Sequence, residues 1–241
     1  MSAFVEQPRF SCALAAQQTV LAIPKAHPIL HSGPGCSENS FTFGVTYSGY
    51  QAEGYTGGPH ISCTNSTQKE IIFGGEEKLR KLVRSALKII DADLYVILTG
   101  CTADIVGDDS VGVAYDFSDE GYPVVGAETA GFKGTVYHGY EQVVKAIIEQ
   151  YVGDVEPEVR KGVINVFSVV PYQNPFWQAD LVEIKSLLTE LGFEVNILFG
   201  AQSKGAKEWK DIPNAEFNLL ISSRVGESIV TLLEKKYGTP F

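Results

Sequence analysis

The sequence predicts an α/β protein built from doubly wound parallel sheets. Short apolar runs alternate along the whole chain with longer stretches whose apolar residues recur at helical spacing. The run Leu94-Tyr95-Val96-Ile97-Leu98 is nearly continuous, as expected of a strand covered on both faces. The 241 residues are also enough for one large or two ordinary domains.

The first strand is expected over 28–31, ending at a glycine turn. A helix follows over 76–90, with Leu79, Leu82, Val83, Leu87 and Ile90 on its apolar side. After the strand 94–98, a helix is expected after Gly107-Asp108-Asp109 through about Ser118, a strand over 122–127 and a helix over 139–152. The polar, proline-bearing stretch 153–158 reads as a boundary. Beyond it come a strand over 163–170, a helix over 178–191 capped by Gly192, and a strand over 193–199. A short irregular or helical piece over 207–213, a strand over 217–222 and a helix over 226–237 complete the series. The regular strand–helix alternation makes two tandem Rossmann-like units, 1–155 and 156–241. The last residues read as the start of another strand, so a further domain is expected to be absent.

Composition narrows the function. The formal net charge is −10 and no basic cluster occurs, which excludes nucleic acid or an anionic membrane as the main partner. The acidic surface suits solubility or docking to a basic patch on another protein. Residues 1–7 have no signal-peptide character and no segment is apolar enough to span a bilayer. The expected compartment is therefore the cytoplasm, where the four cysteines would not form structural disulfides. No Cys-x-x-Cys pair is present.

Three cysteines sit at element ends. Cys12 opens Cys12-Ala13-Leu14-Ala15, Cys36 closes His31-Ser32-Gly33-Pro34-Gly35-Cys36, and Cys101 follows Thr99-Gly100. Cys36 and Cys101 fall beyond the carboxyl ends of predicted strands, where open parallel sheets bind ligands. Soft thiolates favour iron–sulfur or zinc. Three of them leave a cluster short of ligands, a shortage that a second subunit can meet. The alternative is that they are ordinary small buried residues. Cys63 has no glycine turn beside it and reads as ordinary. His31 reads as bonded to backbone, Asp108 and Asp109 as complements to a helix N-terminus, and Trp177 and Trp209 as packing. His138 has no assigned role.

The motifs Cys12, His31-Ser32-Gly33-Pro34-Gly35-Cys36, Phe73-Gly74-Gly75-Glu76, Thr99-Gly100-Cys101-Thr102 and Ile105-Val106-Gly107-Asp108-Asp109 together resemble the nitrogenase component 1-type family. Gly131-Phe132-Lys133-Gly134 and the segment from Asn218 to Pro240 extend the resemblance over essentially the whole chain. It implies that Cys12, Cys36 and Cys101 are cluster ligands. It also implies an iron–sulfur cluster of [4Fe–4S] or [8Fe–7S] type at an interface with a second family subunit. Electrons would come from an ATP-dependent iron–sulfur reductase. The chain itself has no Gly-x-x-x-x-Gly-Lys-Ser/Thr loop. Ser222 stands where the family's cofactor-binding subunit has a cysteine, and the loop 135–138 lacks the family's glutamine and histidine arrangement, which argues against dinitrogen reduction. The expected activity is electron transfer within a nitrogenase-like reductase. The alternatives are a cofactor-assembly scaffold and a small-molecule-binding α/β module whose cysteines are relics.

Overall fold

A computed structural model describes residues 12–38, 60–167 and 169–241. Among these residues, seven strands form two parallel sheets. The first contains β1 (Ala26–His31), β2 (Ser62–Cys63), β3 (Leu94–Thr99) and β4 (Val124–Ala127), in the order β2-β1-β3-β4. The second contains β5 (Arg160–Phe167), β6 (Glu194–Asn196) and β7 (Ala215–Leu220), in the order β6-β5-β7.

Strand alternation divides the first sheet between two apolar layers. Leu30, Val96, Leu98 and Val125 face one layer, which includes Leu14, Val20, Tyr140, Val143 and Ile147. Ile29, Tyr95, Ile97 and Val124 face the other, filled by Leu79, Val83 and Phe117. With both faces covered, every residue of β3 is buried, which is why its sequence shows no polar alternation. The helix Glu76–Ile89 presents Leu79, Val83 and Ala86 inward and carries Glu76 and Glu77 in its first turn, where they complement its dipole.

The helix Val136–Ala146, extended by a π-wound turn Ile147–Val152, lies across Ala13–Ala16. Gly139 permits that approach, because a Cβ there would run into the Ala13 carbonyl. The same helix carries Glu141, whose carboxylate accepts from the Gly226 amide (2.7 Å) and the Ser228 hydroxyl (2.7 Å), capping the helix Glu227–Tyr237. Gln173 donates to Gln18 at 2.9 Å, and the Tyr237 hydroxyl donates to the Gly153 carbonyl at 2.6 Å. The larger apolar cluster likewise runs through both sheets, from Leu14 to Tyr237.

Three buried asparagines cross the second sheet. Strand register sets Asn165 opposite both Asn196 and Asn218. Asn196 Nδ2 donates to Asn165 Oδ1 (2.8 Å), and Asn165 Nδ2 donates to Asn218 Oδ1 (2.8 Å) and to the Ile212 carbonyl (3.0 Å).

The structure differs from the expected elements in places. The strand expected over 193–199 pairs only at Glu194–Asn196, because the Ile197 amide donates to Glu208 Oε1 (2.9 Å) instead of a neighbouring strand. The strand expected over 163–170 runs from Arg160 to Phe167. The helices Gln68–Phe73 and Cys101–Val106 and the two-residue strand β2 were not anticipated. Among the described residues, no helix is long and apolar enough to cross a membrane.

His27 on β1 shares a hydrogen bond with the Ser62 hydroxyl (2.8 Å) and is almost fully buried. Burial, with a smaller contribution from His60, lowers its pKa to about 4. The folded state therefore holds it neutral while an unfolded chain takes up a proton near pH 6.5. Its contribution is fully present above pH 6.5 and is lost as pH falls towards 4, by up to about 3 kcal/mol. In urea titrations the His27→Gln variant should lose less stability across that window than the parent. Parallel pH profiles would exclude the assignment.

Candidate functional site

The carboxyl ends of the first sheet's strands lie along one edge. β1 runs through His31 into a turn and a short helix over 34–38, which carries Cys36. The Cys36 amide donates to the Gly33 carbonyl (3.4 Å), and the Cys36 carbonyl accepts from Gln17 Nε2 (3.3 Å). Gln17 belongs to the helix that follows Cys12, so the Cys36 turn is tied to the Cys12 segment. β3 ends at Thr99, and Cys101 is the first residue of the helix Cys101–Val106, which stops at Gly107 in the left-handed conformation. Cys12 pairs with Thr135 in an isolated bridge, and the Ala13 amide donates to the Gly134 carbonyl (3.0 Å).

Cys12 and Cys101 meet at Gly131. A Cβ built on Gly131 would lie 3.3 Å from Cys12 Sγ, 3.3 Å from Cys101 Sγ and 3.2 Å from Cys12 Cβ. The two sulfurs are therefore within twice 3.3 Å of one another, and the missing side chain keeps the space between them open. Lys133 fastens this loop by ion pairs to Asp104 (3.0 Å) and Glu128 (2.6 Å). All four cysteines are free and partly exposed.

Among the described residues, no three histidine, cysteine or acidic side chains gather closely enough to hold a metal ion by themselves. Even so, the donor chemistry fits a soft metal. Half-buried thiols with a cleared space between two sulfurs suit a site completed by additional ligands. Cys12 and Cys101 thus present a pair of soft donors, short of a complete ligand set.

A buried network pins the motif loops together. His31 Nε2 shares a hydrogen bond with Asp108 Oδ2 (2.8 Å) and His31 Nδ1 with Thr64 Oγ1 (3.1 Å). The Asp108 carboxylate also accepts from the Gly75 amide, at 3.0 and 2.9 Å to its two oxygens. His31 is therefore held by side chains and not by backbone as expected. Asp109 caps the helix Ser110–Asp119 by accepting from the Gly112 amide (2.7 Å). Asp108 instead joins three loops, so only one of the two aspartates acts as anticipated. Asp108→Ala would leave both the buried imidazole and the Gly75 amide without their acceptor, and should cost about 2–4 kcal/mol. Chemical denaturation would measure it, and a change below about 0.5 kcal/mol would contradict the network's role.

Sequence reasoning placed Cys36 and Cys101 at strand ends, as found. It missed the position of Cys63, which ends β2 level with Leu30. Its thiol donates to the Ser32 carbonyl (3.4 Å) and accepts from the Asn65 amide (3.4 Å). Burial pushes this thiol's pKa up, against hydrogen bonds from Asn65 and Ser37 that lower it. The role of Gly131 was also missed, since its conformation carries no sequence signature. Ser222 Oγ accepts from the Arg224 amide (3.3 Å), a local turn. Trp177 and Trp209 are buried in the core. His138 lies against Gly134.

Comparison with known proteins adds the family. A family model described as nitrogenase component 1 type oxidoreductase matches residues 11–241. The chain is 27% identical over 244 residues to the nitrogenase molybdenum-iron protein alpha chain of Methanothermobacter thermautotrophicus, covering 95% of this chain and 50% of that protein. It is 24% identical to the nitrogenase iron-molybdenum cofactor biosynthesis protein NifE of Bradyrhizobium diazoefficiens, covering 74% of this chain and 32% of the relative. The solved structure of nitrogenase Cp1 at pH 6.5 superposes with a TM-score of 0.75 at 23% identity, over 99% of this chain and 46% of that one. The chain thus spans about half the length of these larger relatives, or less.

Proposed function

Because the chain belongs to the nitrogenase component 1 type oxidoreductase family, we propose that it is an electron-transferring component of a nitrogenase-like reductase. In this reading, residues 1–155 carry the site and 156–241 form the second unit. Thiolates of Cys12, Cys36 and Cys101 hold an iron–sulfur cluster of [4Fe–4S] or [8Fe–7S] type beside a second family subunit. An ATP-dependent iron–sulfur reductase supplies the electrons, in the cytoplasm. When bound, such a cluster supplies one-electron redox chemistry.

The observation that carries the reading is the convergence of the Cys12 and Cys101 sulfurs on Gly131, with the Cys36 turn at the neighbouring strand end. The protein's own contribution is positional. The His31–Asp108–Gly75 network fixes the strand ends from which Cys36 and Cys101 depart. Lys133 holds the Gly131 loop against the Cys101 helix. Around this edge Ile72, Phe73, Ile105 and Phe132 expose most of their surface. The helix Gln68–Phe73 packs beside Cys101–Val106. An apolar surface at the rim of an incomplete metal site suits a subunit contact that also excludes water.

Anaerobic reconstitution followed by iron analysis tests this directly. The parent chain, with its partner subunit where needed, should retain iron and sulfide. The variant with Cys12, Cys36 and Cys101 all replaced by serine should not. Equal iron in both would overturn the proposal.

The scaffold reading draws support from the similarity to the cofactor biosynthesis protein. Against it stands Ser222, a hydroxyl engaged in its own turn where a soft ligand would be wanted. The same engagement argues against dinitrogen reduction. Transfer of bound iron to an acceptor protein without turnover would favour the scaffold, whereas cycling with a reductant favours electron transfer.

A further inference from the structure

The thiols of Cys12 and Cys101 are held close together by a single loop. That loop, 131–135, makes an isolated antiparallel bridge from Thr135 to Cys12, and its Gly134 carbonyl accepts from the Ala13 amide (3.0 Å). On its other flank, Lys133 pairs with Asp104 (3.0 Å) on the helix that Cys101 opens. Gly131 lies between the two. A Cβ there would meet each sulfur at 3.3 Å, so the sulfurs are at most twice that distance apart, and Gly131 puts no side chain between them. A disulfide needs its sulfurs about 2 Å apart. Rotation between staggered rotamers carries a cysteine sulfur roughly 3 Å, so turning both side chains can cover the gap. Both thiols are partly exposed and open to a small oxidant. Cys63, in contrast, is already bonded to the Ser32 carbonyl (3.4 Å) and the Asn65 amide (3.4 Å).

We propose that Cys12 and Cys101 are a reversible redox pair, which closes to a disulfide when the chain without iron meets a small-molecule disulfide of the oxidised glutathione class. One of the two protein thiolates attacks a sulfur of that disulfide, and the first small thiolate leaves. The other protein thiolate attacks the mixed disulfide, the Cys12–Cys101 bond forms and the second small thiolate leaves. Two protein sulfurs are oxidised, one small disulfide is reduced, and the two protons shed by the protein thiols end on the two leaving thiolates. The second step is intramolecular, so the loop that holds the thiols together favours it over a lasting mixed adduct. Such a bond is transient and redox-sensing, the kind that reducing compartments permit. The bond itself stands on the geometry of the Gly131 loop. Its consequence rests on the cluster reading above and deepens it. Two thiols that bind iron are shielded from irreversible oxidation and withheld from the metal until a reductant reopens them.

The test exposes the unsubstituted chain to mixtures of reduced and oxidised glutathione, blocks the remaining thiols with iodoacetamide and maps linked peptides by mass spectrometry without reduction. A Cys12–Cys101 linkage should dominate, with Cys36 and Cys63 alkylated, and dithiothreitol should release it. Repeating the exposure in urea should abolish the preference, because only the fold brings these two thiols together. Separate alkylation of Cys12 and Cys101 in the oxidised folded chain, a dominant link to Cys36 or Cys63, or the same preference in urea would overturn the proposal. A chain first loaded with iron and sulfide should close about tenfold more slowly or less readily still, since both sulfurs are then engaged. Closure at the unloaded rate in a chain that holds iron would leave the redox pair standing and overturn the cluster reading at these two cysteines.

Discussion

Gly131→Val is expected to lower iron retention after anaerobic reconstitution by roughly ten- to a hundredfold, the usual scale for disturbing the immediate surroundings of metal ligands. The position is not left-handed, so valine can adopt its backbone conformation and strain does not confuse the result. What changes is space. The Cβ alone would press on Cys12 Cβ and both sulfurs at 3.2 to 3.3 Å, and valine adds two methyl groups to the gap. Alanine should give an intermediate loss, since a shift of a few tenths of an ångström accommodates it. Iron per chain is the readout, with circular dichroism melting to show that the fold survives. A valine variant that loads like the parent would remove Gly131 from the site.

Asn165→Leu should destabilise the chain by about 3–5 kcal/mol. Leucine keeps asparagine's branching and heavy-atom count though its methyl groups are bulkier, and three buried polar groups lose their partner at once. These are the Asn196 amide, the Asn218 side-chain oxygen and the Ile212 carbonyl. Each orphaned group costs about 1–3 kcal/mol, against a total stability of only about 5–15 kcal/mol for a typical domain. The urea midpoint should fall sharply with an unchanged denaturant slope. A shift worth less than about 1 kcal/mol would mean that water or rearranged amides satisfy these groups.

Local pattern accounts for much of the fold. β1, β3 and β7 read as strands because apolar runs end at turn residues, and Glu76–Ile89 reads as a helix because its spacing is amphipathic. Cys36 and Cys101 were placeable for the same reason, each following a strand that stops at glycine. What escaped depends on pairing between distant segments. β2 has two residues, too few for any period, and the position of Cys63 depends on its register with β1. His31 and Asp108 are 77 residues apart. Asn165, Asn196 and Asn218 each look like a lone polar residue in an apolar run, and only the sheet register reveals them as a ladder.

Glu141 caps a helix that belongs to the other sheet's half of the molecule, and Gln18 and Tyr237 bridge the same divide. The helix Glu227–Tyr237 has no cap from its own N-cap side chain. Its integrity is borrowed from the helix that lies across the Cys12 segment. The two sheets are thus separate in topology but joined in free energy. A ligand that tightens the cysteine edge should therefore also raise the urea midpoint at which the distant sheet unfolds.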